Sequence, residues 1–539
     1  MRDYELHERT LGRILAEKAA RIPDKTFLIW EGRSFSYGEL EAMTNRYAHG
    51  FAALGIRHGD HVAVMLPNCP EFFWVCWGLG KIGAVAVPIN TAAKGELLRY
   101  FIDQSDATTV VVDDEWVERM AAVAPQLAKV ERTIYRGPRV PADTGLAAGG
   151  VPVHALAELE SSDSSAPPLA AVSYDDIHLI MYTSGTTGPS KGVMCPHSQG
   201  HAVGRALTVD FGYRPDDVLY TCLPLFHGNA IWYTCYAALW ADAAIALAPR
   251  FSATRFWDEI RASGATQFNT LGAMTNIIWK LPPGAHERDH KLRLCMTVPV
   301  PKEIYVEMQE RYGVTLTSVF AMTENFAMTR FTPDDPPEKA GSAGSTRGAC
   351  ELRIVDDDER DLPAGQVGEI WMRPLQPGSM MKGYYKMPEE TAREFVGEWF
   401  RTGDRGYRDA DGYLYFVDRK KEAIRRRGEN ISAYEVELIL SRHPAILEVA
   451  AIPVASEMSE DDVMVYVVKK PGGALTHADV VHFAAEHMSY FMVPRFVEFI
   501  GELPKTASEK LEKYKLKRDA QERRAELWDR EREGIEVRR

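Results

Sequence analysis

The chain has 539 residues, 45% of them hydrophobic and 26% charged, and a formal net charge of −13. That length exceeds one core and calls for two or more domains, and the negative balance speaks against non-specific nucleic-acid binding or a general attraction to anionic lipid. The seven cysteines are scattered, odd in number and without a C-x-x-C, which disfavours a disulfide framework or zinc site and fits a reducing cytoplasm.

The N-terminus, Met1 to Glu5, carries no apolar signal region. Ser36 and Glu39 form a capping box that starts a helix through about residue 54. A buried strand follows at 61–66. The most apolar run, 72–87, carries Lys81 and falls short of a membrane span, so it reads as a buried helix leading into a strand at 84–88. A helix at 96–105 and a strand at 108–112 continue an alternation that predicts a parallel, helix-covered sheet. Residues 138–172, rich in Ala, Gly, Pro and Ser, read as a surface connection. Alternation resumes through strands at 218–223, 244–247 and 315–319. From Glu351 the pattern changes to short strands and tight turns. Residues 425–515 hold a compact mix: helix 433–442, strands 448–454 and 463–469, helix 476–488. The tail from Lys517 is nearly all charged, either a solvated helix or disordered.

Residues 181–192, Met-Tyr-Thr-Ser-Gly-Thr-Thr-Gly-Pro-Ser-Lys-Gly, follow the strand-like run 176–182. Gly185, Gly188 and Gly192 let the backbone turn and expose N–H groups, Thr183, Ser184, Thr186, Thr187 and Ser190 add short donors, and Lys191 adds a point charge. Such a loop suits a polyphosphate. It is not the common P-loop: Ser190 stands where that pattern needs its second glycine, and Gly192 where it needs Ser or Thr.

Thr183 to Gly192 resembles the signature of the adenylate-forming superfamily of acyl-CoA synthetases, nonribosomal adenylation domains and luciferases. Four further segments resemble that family's motifs in order. In Phe320-Ala321-Met322-Thr323-Glu324, Glu324 would hold Mg²⁺ with Thr187 and Thr323 would contact the α-phosphate, while Phe320 and Ala321 depart from the usual Tyr and Gly. In isolation Thr323-Glu324 would be an ordinary helix start. In Phe400 to Asp404, Asp404 would accept both ribose hydroxyls. In Asp418 to Glu422, Arg419 would reach the ribose and Lys421 would be the inter-domain hinge. In Leu503 to Lys510, Lys510 would bridge the carboxylate and the α-phosphate, with Glu509 replacing the usual Gly.

The resemblance implies more about the acid and its acceptor. His227, in Phe226-His227-Gly228-Asn229, would gate the carboxylate. The same segment lacks the Asp that amino-acid-activating relatives carry, which disfavours an amino-acid substrate. Gly272, Ala273 and Met274, with Ala321 and Met322, would line the acyl pocket. Arg427 and Gly428 would meet coenzyme A, Gly428 along a narrow pantetheine tunnel; the arginines at 425–427 either meet its phosphates or are surface charge. The stretch 249–274 looks most like crotonobetaine/carnitine–CoA ligase relatives.

The implied fold is α/β: a large N-terminal domain, 1–420, of helix-covered sheets with a distorted small barrel, and a small mobile α+β C-terminal lid domain, 421–539. The implied activity is ATP-dependent carboxylate–CoA ligation through an acyl-adenylate, with ATP, Mg²⁺ and coenzyme A. The expected partners are small molecules, without nucleic acid or a transmembrane segment, and a homodimer is compatible with the family. The alternatives are an enzyme loading a separate carrier protein, or a non-catalytic acyl- or nucleotide-binding relative.

Overall fold

The computed structural model describes residues 2–138, 144–147, 150–167, 171–183, 189–284, 287–298, 300, 302–419, 423–457, 460–470, 472, 474–504 and 511–537. The chain divides into two compact units: Met1–Thr91 with Phe101–Met181 and Gly192–Asp418, and Ala92–Tyr100 with Tyr182–Lys191 and Arg419–Arg539.

Three sheets build the first unit. A seven-stranded sheet runs in the order Val153–Ala155, Arg132–Arg136, Thr109–Asp113, His61–Met65, Val85–Pro88, Ile177–Thr183, Lys191–Pro196. Its described registers from Val153 to Leu179 are all parallel. The predicted alternation requires this, because parallel strands need helical crossovers and are buried on both faces. Residues 62–65 and 85–88 are accordingly buried throughout.

An eight-stranded sheet has a parallel interior with antiparallel strands at both edges, Arg33–Ser36 and Asn325–Phe331. Where a small barrel is implied, a five-stranded antiparallel sheet is found: Cys350–Val355, Gly368–Pro374, Trp399–Arg408 and Phe395–Val396, with Leu414–Arg419 also paired to Trp399–Arg408. All seven cysteines belong to this unit, buried and free.

Local signals held where local physics decides. Helix Tyr37–Ala53 starts at the Ser36/Glu39 capping box, and Pro70–Lys81 is the buried apolar helix. Lys81 is fully buried there and donates to Asn45 at 2.6 Å and to Glu41 at 2.5 Å. Residues 138–172 need correction. Val153–Ala155 is the edge strand of the seven-stranded sheet, and the short helix Leu156–Leu159 buries both leucines.

The second unit carries the hairpin Ala423–Arg426/Glu429–Ser432 and a three-stranded sheet of Ile446–Ala455, Asp461–Lys469 and Phe496–Phe499. Helices Ala433–Leu440, His477–His487 and Lys513–Glu522 complete it. The charged tail is neither merely solvated nor structureless in its described part. Ala520 and Leu527 enter the core with Leu516, Ile452, Tyr466 and Phe496, and Asp529 accepts from Arg495 at 2.9 Å.

Candidate active site

In the first unit the strand Thr315–Met322 turns back on itself through two residues, Thr323 and Glu324, and returns antiparallel as Asn325–Phe331, with Met322 opposite Asn325. The pair is therefore a hairpin apex and not a helix start: strand pairing over seven or more residues outweighs the local cap signal. The apex is tied down. The Met381 N–H donates to the Glu324 carbonyl at 2.9 Å, and the Gln199 side-chain amide donates to the Thr323 and Glu324 carbonyls at 3.4 Å each.

The Glu324 side chain is 4% exposed. Among the described residues, only the Tyr384 hydroxyl donates to its carboxylate, to Oε1 at 2.6 Å. Burial and the adjoining carboxylate hold the Tyr384 phenol far above its ordinary range, so it remains a donor. A buried carboxylate with one oxygen fixed and the other without a described protein donor matches what a hard divalent cation takes from a protein when phosphates and water supply the rest. No group of three or more His, Cys, Asp or Glu side chains suited to a metal occurs among the described residues.

Asp404 is 5% exposed and lies in the strand Trp399–Arg408. The neighbouring strand pairs Glu369 with Arg405 and Trp371 with Arg401, leaving Thr402, Gly403 and Asp404 opposite Ile370 alone. Gly403 takes φ +70° in this bulge, a conformation that favours glycine. Thr402 pins it by donating to the Ile370 carbonyl at 2.7 Å and accepting the Asp404 N–H at 3.1 Å. The aspartate is thus aimed by a bulge rather than carried on a loose turn. Phe416, on the strand paired with this one, lies 6.4 Å from Phe320 between ring centroids.

His227 is half-buried, its ring 4.5 Å from Phe226, and its carbonyl accepts the Ile231 N–H. The chain then runs as a π-helix, Asn229–Tyr236, a rare geometry concentrated near functional sites. Gly228 has a packing role: a Cβ there would stand 2.0 Å from the Phe326 ring. Phe326 follows Glu324 by two residues, so the His227 segment and the Glu324 hairpin pack together. Met274 is buried on helix Gly272–Lys280, and Ala321 and Met322 are half-buried. The side chains of Gly272 and Ala273 lie outside the described residues.

In the second unit Thr183 and Lys191 are half-buried, while Ser184, Gly185, Thr186, Thr187 and Gly188 lie outside the described residues. So do Lys421, Glu509 and Lys510, and the side chain of Arg419. Arg427 and Gly428 form a two-residue hairpin turn, with φ of +53° and +81° and Arg426 paired to Glu429. Those are type I′ angles, which explains the glycine without a ligand. The Gly428 N–H donates to the Glu460 carboxylate at 3.1 Å. The three arginines separate. Arg426 is buried, with Asp462 at 3.0 Å and the Phe491 and Val493 carbonyls as acceptors, whereas Arg427 is exposed.

Sequence reasoning missed Tyr384, Gln199 and the π-helix, and it missed Glu435. Glu435 is buried at the start of helix Ala433–Leu440, and burial pushes its carboxyl up to about 7. Its Oε1 accepts the Ser190 N–H at 3.0 Å and the Ser190 hydroxyl. No local signal joins residues 245 apart in the chain.

The AMP-binding enzyme family matches residues 15–385, and the AMP-binding enzyme C-terminal domain matches residues 435–510. The crotonobetaine/carnitine–CoA ligase of Salmonella agona (strain SL483) is 34% identical over 505 residues, covering 92% of this chain and 96% of its own length. Among solved structures, o-succinylbenzoate CoA synthetase from Bacillus subtilis aligns with a TM-score of 0.81 at 24% identity, covering 94% of this chain and 98% of that one. The fatty acyl CoA synthetase of Mycobacterium tuberculosis aligns at 0.69 and 26% identity, covering 96% and 99%. No helix among the described residues is long and apolar enough to cross a membrane.

Proposed function

The chain belongs to the AMP-binding enzyme family, and from that premise we propose that it joins a carboxylic acid to coenzyme A at the expense of ATP. A carboxylate is a poor electrophile. Attack by its oxygen on the α-phosphorus of ATP forms the acyl–phosphate bond and breaks the bond to pyrophosphate; the coenzyme A thiolate then attacks the acyl carbon and AMP leaves. Both reactants of the first step are anionic, so the obstacle is charge repulsion, and catalysis is positioning plus electrostatic stabilisation.

Asp404, aimed by its bulge, accepts the ribose hydroxyls, with Arg419 beside it. Lys191 and the N–H groups of 184–192, apart from that of Ser190, which donates to Glu435, receive the departing pyrophosphate, Thr323 contacts the α-phosphate, and Lys510 spans the reacting oxygens. Glu324 and Thr187 would hold Mg²⁺, which would supply neutralising charge to the phosphates. His227 gates the acid, and Met274, Ala321 and Met322 shape its pocket together with Gly272 and Ala273. Gly428 and Arg427 serve the second step, with domains 1–420 and 421–539 pivoting at Lys421.

The observation that carries this reading is Glu324: a buried carboxylate on a pinned hairpin, one oxygen held by Tyr384, in a chain that matches an acid–CoA ligase over 92% of its length. The test is a panel of carboxylic acids, betaines included, assayed for pyrophosphate and AMP with and without coenzyme A. Acid-dependent pyrophosphate with coenzyme A-dependent AMP is expected. AMP formation that ignores coenzyme A but needs an acyl carrier protein would move the acceptor to that carrier, and no acid-dependent pyrophosphate from any acid would defeat the reading.

A further inference from the structure

Residues 381–385 make two sets of hydrogen bonds at once. Toward residues 192–194, where the chain leaves the glycine-rich segment, the Lys382 N–H donates to the Met194 carbonyl at 2.8 Å, the Met194 N–H to the Gly383 carbonyl at 3.0 Å and the Tyr385 N–H to the Gly192 carbonyl at 2.8 Å. Toward Glu324, the Met381 N–H donates to the main-chain carbonyl at 2.9 Å and the Tyr384 hydroxyl to Oε1 at 2.6 Å. Every one of these residues lies in the first unit, on one side of Lys421. Tyr384 is 3% exposed, and its N–H donates to Thr391 Oγ1 at 2.9 Å. Gly383 before it takes φ +115°, and a Cβ there would stand 3.0 Å from Thr391 Cγ2, so a side chain at 383 would disturb the hold. A phenol suits the task. It gives the carboxylate a hydrogen bond without a charge, whereas a buried lysine or arginine would pair with Glu324 and compete with a cation.

We propose that Tyr384 is a positioning residue that couples the divalent cation to ATP: segment 381–385 holds the Glu324 carboxylate to the chain leaving the glycine-rich segment, so that Mg²⁺ and the phosphates strengthen each other's binding. This rests on the assignments of Glu324 to Mg²⁺ and of the glycine-rich segment to the phosphates made above. The alternative is a packing contact that merely stabilises the hairpin apex. Loss of packing weakens every nucleotide alike, with or without metal. Loss of coupling is felt only when cation and phosphates are bound together, because coupling is a free energy shared between two ligands.

The experiment is titration calorimetry on the full chain with three ligands: ATP in EDTA, ATP in saturating Mg²⁺, and AMP. The chains are the wild type, Tyr384→Phe, Glu324→Gln and the double variant, each checked for folding by thermal melting. Tyr384→Phe should cut the factor by which Mg²⁺ strengthens ATP about tenfold, or ~1.4 kcal/mol, while metal-free ATP and AMP change less than about twofold, because the lost bond is to a charged group. On the Glu324→Gln background the same change should add less than about twofold, since the phenol acts through that carboxylate. If Tyr384→Phe fails to fold, Thr391→Val, which removes the acceptor of the Tyr384 N–H, decides alone, with a severalfold loss of the Mg²⁺ effect expected. Equal losses for all three ligands, an unchanged Mg²⁺ effect in the folded variants, or full additivity with Glu324→Gln would overturn the proposal. A wild type that binds ATP equally well with and without Mg²⁺ would instead defeat the metal reading of Glu324 itself, so the two failures are separable.

Discussion

Glu324 and Glu435 are both buried glutamates, and the two units treat them differently. Glu324 sits on a strand hairpin, with one oxygen fixed by a phenol and its backbone tied by Met381 and Gln199. Glu435 sits in the first turn of a helix, with both donors of one serine converging on a single oxygen. Each carboxylate has one oxygen engaged; what differs is the donor, a phenol 60 residues away for Glu324 and both polar hydrogens of the serine before Lys191 for Glu435. A buried acid in this chain is therefore read by what donates to it, not by its burial.

The largest effects should come from breaking that contrast. Glu324→Gln is expected to cut acid-dependent pyrophosphate release by ~10²–10³ and to flatten its dependence on Mg²⁺, as loss of a preorganised electrostatic group does. Glu435→Gln should leave the Mg²⁺ dependence in place. Equal flattening in both variants, read from Mg²⁺ titrations of initial rate, would erase the contrast. Lys510→Ala should match Glu324→Gln in the first step, ~10²–10³, yet leave thioester formation from pre-made acyl-adenylate largely intact. Comparable loss in both half-reactions would remove the case for a pivoting C-terminal domain.

Tyr384→Phe sharpens the comparison at smaller scale. It frees Glu324 Oε1 from its donor, and a hydrogen bond to a charged group is worth ~1.5–3 kcal/mol. The Mg²⁺ concentration for half-maximal rate should shift about tenfold, and the melting temperature should fall.

Stability against pH sets three buried histidines and Glu435 apart by sign. Burial lowers His178, His197 and His201 in the first unit, the latter two to about 4 and about 3. Their unfolded forms take up protons first, so the stability they allow is full above about 6.5 and is lost as pH falls below it. Glu435 runs the other way: its folded carboxyl titrates near 7 against an unfolded 4.5. Its contribution is full below 4.5 and is lost as pH rises through 7, on the order of 3 kcal/mol across that span. The melting-temperature difference between wild type and Glu435→Gln should accordingly shrink from pH 5 to pH 8. A difference that grows with pH would show that Glu435 is held charged.

Much of this was legible in the sequence, and the gaps have a common cause. The Ser36/Glu39 cap and the buried helix before Val85 depend on neighbours in the chain, and both stand where the sequence predicts them. The edge strand Val153–Ala155 has the composition of a connection, because three half-buried residues acquire meaning only from pairing with Thr133–Tyr135. The tail from Lys517 reads by its charge, although Ala520 and Leu527 within it are buried. Glu324 was found by motif, but Tyr384 is 60 residues away and Gln199 is 125 residues away. Partners brought together by topology leave no mark on local spacing.

The confinement of all seven cysteines to the first unit, each buried and free, makes the protein a ready subject for thiol chemistry. Burial raises these thiols, Cys222, Cys295 and Cys350 to about 12, so the nucleophilic thiolate is scarce as well as hidden. Alkylation of the native chain then reports openings of the first unit alone, while the second unit is silent to the reagent. A cysteine introduced at an exposed site there, such as Tyr514, would become the one quickly labelled position and could carry a single fluorophore without removing any native residue of the core.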